Sequence, residues 1–466
     1  MKLLMRNLKI VLAVFVCVSL SLLIGLSFQQ YRSRTELFVA AGENKESLKS
    51  RYANAGTIFD THGTVFANST DGTRHYCSDP VMAEAVLHIV GDYTHNIGNT
   101  IESTYQDVLM GNGRNVFRQL LLDFQGKGLS GDDITLTISG DLSKKAYELL
   151  DGRKGSIVLL NYKTGAVITA VSSPSTSPDS VIQYKDIPES SLFNRALFGS
   201  YAPGSTFKII TTAAYLASPA FDPALTVDCA AESTVDPFGA SETGSGHGLV
   251  DLQLAFARSC NVFFGQIGVT VGRADLEKEA HLMGYGDKFS LDRLQVLPGK
   301  IEIPDNNSTL SWISIGQPVA NSTLYTTPLQ MAMIAGAIGN GGVMQEPHII
   351  KYFTSPTGEK YNKMQITPAK ILLDRNTADI IEQLMIGVVT NGTGKTAGLD
   401  GYTVAAKTGT VQVTGQANNA LCVAYITDDA MPYAIAVIVE EGGAGGTTAA
   451  PLAGLMLQAA VDENNS

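Results

Sequence analysis

An α+β fold is predicted for this chain by two features of its sequence. Runs of β-branched and aliphatic residues, separated by turn residues, lie near both ends of residues 154–466, in Gly155–Ser172 and in Tyr402–Glu440. Stretches with apolar residues at helical spacing lie between these two groups. Strands at both ends of a segment with helices between them are typical of α+β domains. The length of 466 residues predicts two or three units.

The composition excludes several classes of protein. A hydrophobic fraction of 44% with 17% charged residues is ordinary for a folded globular chain. The net charge of −11, without a cluster of Lys and Arg, argues against nucleic acid as a partner. The five cysteines form no C-x-x-C pair and the seven histidines show no metal-binding spacing, so we expect no metal and no cofactor. The cysteine content does not exclude one disulfide.

Residues 1–30 are predicted to form a short cytoplasmic tail and a transmembrane signal-anchor. The segment Ile10–Phe28 contains no charged residue and is long enough to span a hydrocarbon core. It is longer than the apolar region of most signal peptides, and no clear A-x-A cleavage site follows it. Lys2, Arg6 and Lys9 precede it, which favours an amino terminus inside the cell and the bulk of the chain outside.

Residues 31–153 are predicted to form a small strand-rich module next to the membrane. Ile58–Phe59 and Val65–Phe66 flank a run of turn residues, as in a hairpin. Ile134–Ser139 alternates apolar residues with Thr, which predicts a strand, and Asp141–Leu150 carries apolar residues at helical spacing.

Residues 154–466 begin with a predicted hairpin, whose turn contains Lys163-Thr164-Gly165. We interpret this tripeptide as turn chemistry, in which Gly165 supplies a positive φ. Further along, we predict a series of helices, then three strands, then a last helix: Ser205–Ser218, Leu249–Phe264, Thr327–Gly339, Asn376–Thr390, Tyr402–Thr408, Ala420–Thr427, Tyr433–Glu440 and Pro451–Val461.

The pair Ser205 and Lys208 is a candidate nucleophile with its base. A serine hydroxyl must lose its proton to a nearby base as it attacks, and residues i and i+3 share one face of a helix. The helix that follows is apolar nearly all round, so we expect it to be buried, and burial lowers the pKa of a lysine toward a value useful for a base. The structural alternative is an N-cap serine with a solvated lysine.

Two further motifs follow in order, Ser259-Cys260-Asn261 and Lys407-Thr408-Gly409-Thr410. The Ser259 hydroxyl can pass a proton toward a leaving amine, and the Asn261 carboxamide can bind a substrate amide. The third motif, Lys407-Thr408-Gly409-Thr410, ends a predicted strand, where a glycine lets a substrate backbone lie against the strand edge. The amides of Ser205 and Thr410 could stabilise an oxyanion. Each motif alone is weak, and the ordered set is typical of penicillin-recognising serine enzymes.

A nucleotide-binding loop at Gly394-Lys395-Thr396 is excluded, because such a loop requires a glycine five positions earlier and Val389 stands there.

On these motifs the chain resembles the class B, monofunctional penicillin-binding proteins, most closely the small penicillin-binding protein A type. The likeness covers most of the chain from about residue 55 and rests on the segments AGTIFDTHGTVFA, GSIVLLNYKTGAVITAVSSP, NRALFGSYAPGSTFKIIT, GHGLVDLQLAFARSCNVFF, ISIGQPVANSTLYTTPLQMAMIAGAIGNGG and VAAKTGTVQV. It implies a penicillin-binding, serine β-lactamase-like transpeptidase domain: an antiparallel sheet with helices on both sides and an all-helical part, in residues 154–466.

The resemblance also implies a function. Ser205 would be acylated by a D-alanyl-D-alanine stem peptide and pass the acyl group to the amine of a neighbouring stem, and β-lactams would acylate it as inhibitors. Lys208 would be the base, Ser259 the proton relay and Asn261 a substrate clamp. The residues that hold the terminal carboxylate would be Lys407, Thr408 and Thr410. The expected partners are peptidoglycan stem peptides and a membrane-embedded glycan polymerase of the elongation, division or sporulation type.

Two other functions stay open on the sequence. A D,D-carboxypeptidase or β-lactamase would send the same acyl-enzyme to water. A non-catalytic scaffold or β-lactam sensor would keep the fold without the chemistry.

Overall fold

The structure is a computed structural model of the full chain. It describes residues 2–37, 45–230, 238–241, 246–319 and 321–465. Within these residues the helices are, in chain order, α1 Lys2–Leu37, α2 Lys45–Tyr52, α3 Pro80–Val90, α4 Ile101–Thr104, α5 Gln106–Leu109, α6 Val116–Phe124, α7 Gly140–Leu150, α8 Pro178–Gln183, α9 Arg195–Phe198, α10 Lys208–Ala217, α11 Leu252–Arg258, α12 Asn261–Val271, α13 Arg273–Leu282, α14 Asn307–Ser314, α15 Pro328–Gly339, α16 Arg375–Thr390 and α17 Gly445–Asn464.

The strands of the described residues are, in the same order, β1 Ile58–Phe59, β2 Val65–Thr70, β3 Thr73–Tyr76, β4 Asp133–Leu136, β5 Gly155–Asn161, β6 Val167–Ser173, β7 Val227–Cys229, β8 Gly248–Val250, β9 Ser290–Leu291, β10 Leu294–Gln295, β11 Lys300–Glu302, β12 Thr323–Tyr325, β13 Val343–Gln345, β14 Ile350–Thr354, β15 Lys360–Tyr361, β16 Pro368–Ile371, β17 Val404–Val411, β18 Asn419–Ile426 and β19 Tyr433–Val439.

A five-stranded antiparallel sheet forms the centre of the second half of the chain, in the order β17-β18-β19-β5-β6. The two strand groups predicted near the ends of residues 154–466 therefore meet in one sheet. The order leaves β17 at one edge, so one side of this strand is not paired within the sheet.

Helices cover both faces of this sheet, because its side chains alternate between two apolar layers. Ile157, Cys422 and Val437 pack with the last helix, α17, and with α7 on one face. Val158 and Val423 pack on the other face, in the core that contains α10, α15 and α16. Helices α10 to α14 form a mainly helical part beside the sheet. The predicted α+β arrangement with helices on both sides is confirmed.

A second sheet, of six strands, has the order β15-β14-β4-β1-β2-β3. Its β1 and β4 pair in parallel, and β14 pairs with β4 in antiparallel register. The strand-rich module predicted for residues 31–153 thus shares its sheet with residues 350–361 from the carboxy-terminal half. The boundaries at 30 and 153 stay a prediction.

The amino-terminal residues 2–37 form the continuous helix α1. In the part of the chain that the structure describes, no helix meets the combined length and apolarity of a membrane span. The transmembrane segment predicted at Ile10–Phe28 is therefore not supported here, and the side chains of residues 26–28 lie outside those described.

Two predicted helices differ from those observed. The helix expected over Ser205–Ser218 begins with a 3-10 turn, Gly204–Phe207, before α10. The helix expected over Leu249–Phe264 is divided into α11 and α12 by Ser259 and Cys260. The polar tripeptide interrupts the apolar pattern in the sequence and breaks the helix in the structure. The hairpin of β5 and β6 is confirmed, with Gly165 at a φ of 79° in its turn.

Candidate active site

Ser205 lies in the 3-10 turn that precedes α10, three residues before Lys208. Side chains at i and i+3 eclipse in a 3-10 turn, so the two residues share a face, as the sequence predicts from an α-helix. Hydrogen bonds hold the turn: the Thr206 hydroxyl donates to the Pro203 carbonyl at 2.7 Å, the Thr206 amide donates to the same carbonyl at 3.3 Å, and the Gly204 amide donates to the Gly316 carbonyl at 3.0 Å. Ser205 itself is half-buried.

Lys208 is completely buried at the start of α10. Its Nζ donates to the Asn261 Oδ1 at 2.7 Å, to the Ser259 carbonyl oxygen at 2.6 Å and to the Ser259 Oγ at 3.2 Å. An ammonium has three donors, and the turn at Ser259 supplies three acceptors. The first and second motifs are therefore in direct contact, and the solvated lysine of the structural alternative is wrong.

The backbone of Ser259 explains why its carbonyl faces Lys208. Ser259 has φ 60° and ψ 40°, the left-handed conformation at the end of α11. Cys260 then begins α12 as its N-cap. On the other side, the Asn261 Nδ2 donates to the Ser241 carbonyl at 2.8 Å, which sets the amide oxygen toward Lys208. Such a conformation costs of order 1–3 kcal/mol for a residue other than glycine, and it persists where surrounding contacts hold it.

Lys407 reaches the same turn from the edge strand β17. Its Nζ donates to the Ser259 Oγ at 2.8 Å and to the Thr408 carbonyl at 3.2 Å, and its side chain is completely buried. One serine hydroxyl is thus within hydrogen-bond distance of the amines of Lys208 and Lys407. The structure brings Lys208, Ser259, Asn261 and Lys407 into one cluster.

The electrostatics of this cluster favour the loss of a proton. Burial lowers the pKa of Lys407 well below its usual value, and the positive charge of Lys208 lowers it further. Cys422, one strand away, is also buried, and burial raises the pKa of its thiol to about 12.

Gly409 lets strand β17 lie against the nucleophile turn, the 3-10 turn Gly204–Phe207 named for the predicted nucleophile Ser205. A methyl group at this position would lie 3.2 Å from the Pro203 carbonyl oxygen and 3.3 Å from the Thr206 Cγ2. A glycine therefore permits the close approach of strand and turn, which a methyl group would crowd by a few tenths of an ångström. The third motif and the nucleophile turn are thereby held side by side.

The hydroxyls of Thr408 and Thr410 have other partners than the lysines. The Thr408 Oγ1 lies 2.6 Å from the Thr393 Oγ1, and the Thr410 Oγ1 accepts a hydrogen bond from the Gly445 amide at 3.2 Å. Thr408 is buried, whereas Thr410 is exposed. Their expected contacts to a carboxylate stay a prediction.

Sequence reasoning missed three neighbours of the cluster. The ring centroid of Phe264 lies 5.3 Å from the Lys208 Nζ, and that of Phe256 lies 5.7 Å from the Lys407 Nζ, so each amine contacts an aromatic ring. Thr393 contacts Thr408 from the loop after α16. Phe256 and Phe264 flank the second motif at helical spacing, and this spacing could have indicated their contacts with the lysines. No sequence signal points to Thr393, because its contact with Thr408 depends on the tertiary fold.

The fold and the cluster agree with a family match over most of the chain. Residues 155–458 match the family model described as the penicillin binding protein transpeptidase domain. The chain therefore belongs to the penicillin-binding protein transpeptidase family, and the resemblance inferred from the three motifs is confirmed.

Individual relatives support this assignment along most of the chain. The chain is 29% identical to peptidoglycan D,D-transpeptidase PbpA of Mycolicibacterium smegmatis, across 92% of this chain and 95% of that protein. It is 28% identical to PbpA of Mycobacterium tuberculosis, across 92% and 94%. Among solved structures, the ceftriaxone acyl-enzyme complex of penicillin-binding protein A from M. tuberculosis has a TM-score of 0.78 at 26% identity, and the match covers 89% of this chain and 100% of that chain.

Proposed function

We propose that this chain is a peptidoglycan D,D-transpeptidase that β-lactams inhibit by acylation. The observation that carries the proposal is the Ser259 hydroxyl within hydrogen-bond distance of both Lys208 and Lys407, beside the turn of Ser205. The family match and relatives bearing the D,D-transpeptidase name support the same activity.

In the first half-reaction the Ser205 Oγ attacks the carbonyl carbon of the penultimate D-alanine, and Lys208 takes the hydroxyl proton. Amides of Ser205 and Thr410 stabilise the oxyanion. The peptide C–N bond breaks, the terminal D-alanine leaves as an amine, and Ser259 passes it the proton that Lys208 received. In the second half-reaction an amine of another stem peptide attacks the ester carbon, the C–O bond to Ser205 breaks, and the same groups carry the proton that the amine loses to the Ser205 Oγ.

The two lysines have different roles in this mechanism: Lys407 binds the substrate carboxylate and Lys208 accepts the serine proton. A substrate carboxylate beside Lys407 favours its charged form, because an opposite charge offsets the cost of burial. A charged Lys407 in turn disfavours a charge on Lys208, which is then able to accept the serine proton. Thr408 and Thr410 add hydroxyl donors for the carboxylate, and Asn261 holds the substrate amide.

Acylation with a fluorescent penicillin tests the proposal. The wild-type protein is expected to form a long-lived adduct, located on Ser205 by peptide mass spectrometry, and the Ser205→Ala variant to form none. A donor ending in D-alanyl-D-alanine and an acceptor amine then separate the functions: a cross-linked product supports the transpeptidase, and release of D-alanine to water alone supports the carboxypeptidase. Rapid turnover of penicillin would identify a β-lactamase.

We also propose that residues 1–30 anchor the protein in a bacterial cell membrane, with residues 31–153 and 154–466 on the extracytoplasmic side. The support is the uncharged sequence Ile10–Phe28 and the exposure of its apolar side chains, such as Val11 and Phe15. Recovery of the chain in the soluble fraction after cell lysis, without detergent, would contradict the anchor. Penicillin labelling of intact cells tests the orientation.

A membrane-embedded glycan polymerase is the proposed partner. Helix α6 in the amino-terminal module exposes large apolar side chains, among them Phe117, Leu121 and Phe124. Exposed apolar patches of this kind mark sites of association. Phe117→Ser with Phe124→Ser is expected to abolish co-purification of the polymerase from membranes while penicillin still acylates the protein. Unchanged co-purification would remove α6 from the interface.

A further inference from the structure

We propose that Cys229, His247 and Cys260 bind a zinc ion that ties the hairpin of β7 and β8 to the catalytic turn. The sequence predicted no metal because no two of these residues have a recognised metal-binding spacing. In the structure, the two sulfur atoms and a ring nitrogen of His247 all lie within 4.8 Å of one another. The proposed ligand set is two thiolates and one imidazole.

The distances suit tetrahedral coordination of zinc. Bonds of about 2.3 Å to sulfur and 2.0–2.1 Å to nitrogen place neighbouring ligand atoms about 3.6–3.8 Å apart. The Cys229 Sγ lies 3.9 Å from the His247 Nδ1, so small side-chain rotations close the site. Two cysteines and one histidine form a known three-ligand set for zinc, with water as the fourth ligand.

The backbone places the ligands independently of a metal. Cys229 in β7 pairs with Gly248 in β8, next to His247, and the His247 amide donates to the Cys229 carbonyl at 2.5 Å. The hairpin therefore presents a thiol and an imidazole together. Cys260 comes from a different element, the break between α11 and α12.

The surroundings of Cys260 suit a metal-bound thiolate. Cys260 is the N-cap of α12, and its Sγ accepts a hydrogen bond from the Phe263 amide at 3.5 Å. The start of a helix stabilises a thiolate, and amide donors to ligand sulfur are typical around metal sites. Cys229 and Cys260 are fully buried. Two thiolates balance the charge of Zn²⁺, so the complex adds no net charge to the interior.

A metal at this position would act on the active site through one residue. Cys260 stands between Ser259 and Asn261, whose side chains contact Lys208. Zinc would therefore restrain the turn that carries both acceptors, and Cys260 would be a positioning residue. This positioning role rests on the proposed function, whereas the metal site itself does not.

Metal content and a cobalt spectrum test the site. The full-length protein is purified with a reductant and equilibrated with zinc, and bound metal is measured by mass spectrometry. We expect about one zinc per chain in the wild type and in the control Cys77→Ser, and about a tenfold or greater loss of affinity in Cys229→Ser and in His247→Ala. Replacement of zinc by cobalt is expected to give thiolate-to-cobalt charge-transfer absorption that Cys229→Ser reduces.

Chelation of the wild-type protein gives a second readout that does not depend on the folding of a variant. Removal of zinc is expected to lower the rate of acylation by penicillin about tenfold, and zinc but not magnesium to restore it. No bound zinc, zinc retained by Cys229→Ser, or a disulfide between Cys229 and Cys260 in fresh protein would overturn the proposal. If penicillin never acylates the protein, the zinc stoichiometry still decides the metal site, so the two proposals fail separately.

Discussion

The chain contains the tripeptide Lys-Thr-Gly twice, and the two copies behave in opposite ways. Lys163 lies in the turn between β5 and β6, is 36% exposed and pairs with the exposed Asp429 at 2.8 Å. Lys407 lies in the edge strand β17, is 0% exposed and donates to the Ser259 Oγ. The same three residues form a turn between two strands in one place and one side of the buried cluster around Ser259 in the other. Burial and neighbours, rather than the tripeptide, determine the chemistry.

The largest difference in acylation rate is expected between variants of the two lysines. Lys407→Met is expected to lower the rate of acylation by penicillin at least about 10²-fold, because in the proposed mechanism it removes the charge that would bind the carboxylate and would disfavour a charge on Lys208. Lys163→Met is expected to change that rate less than about twofold, because exposed ion pairs contribute little. Stopped-flow kinetics with a chromogenic β-lactam measures both. Equal losses in the two variants would contradict the comparison.

Alanine substitutions at the two glycines should affect different quantities, the free energy of unfolding at Gly165 and the rate of acylation at Gly409. Gly165 has φ 79°, and a methyl group there would collide with the Glu346 carbonyl, so Gly165→Ala is expected to lower the free energy of unfolding by about 2–4 kcal/mol. Gly409→Ala crowds the nucleophile turn only slightly, so we expect about a threefold to tenfold slower acylation and a stability change below about 1 kcal/mol. Denaturant titration and acylation kinetics test the pair. A Gly409→Ala variant with normal kinetics would show that the turn and strand adjust without cost.

The pH dependence of stability offers a smaller test. The pKa of Lys407 is lower in the folded protein than in the unfolded chain, which therefore binds the proton more tightly. The free energy of unfolding should rise with pH between the lowered pKa and about 10.4, and below that interval Lys407 costs stability. Lys407→Met is expected to raise the unfolding midpoint at neutral pH by a few degrees and to flatten this rise. Lys163→Met should preserve the wild-type slope, and an identical slope in both variants would contradict the assigned burial of charge.

The smallest effect is expected at the threonines. Thr393→Val removes the partner of the Thr408 hydroxyl, which is buried, and should slow acylation about threefold to tenfold through the loss of one hydrogen bond. Thr164→Val in the surface turn is the matched control and should leave the rate unchanged. A pure effect on stability in Thr393→Val, with normal kinetics, would assign Thr393 to the fold alone.

Local pattern predicts the parts of this molecule that depend on neighbours in sequence. The strand-like run Tyr402–Thr408 predicts strand β17, whereas the stretch Leu249–Phe264 is predicted as one helix and is broken at Ser259 and Cys260. The order of the three motifs then predicts the cluster, because each residue type is matched to one chemical role. The family assignment follows from the same residues.

Contacts between distant segments are not visible in the sequence. The pairing of β14 with β4 joins residues more than two hundred positions apart, and no periodicity or spacing in the sequence predicts this pairing. The left-handed backbone of Ser259 is equally hidden, because a serine at a helix end usually indicates a cap. The convergence of Cys229, His247 and Cys260 depends on a hairpin and a helix break together.

The left-handed backbone at Ser259 means that a single residue offers two independent acceptors. Its main-chain oxygen holds Lys208, and its hydroxyl lies between the two amines. A Ser259→Gly replacement retains the peptide oxygen in a conformation that glycine adopts freely, while it deletes the hydroxyl. That one exchange separates the anchoring of Lys208 by the main chain from the hydrogen bonds that the hydroxyl makes to both amines.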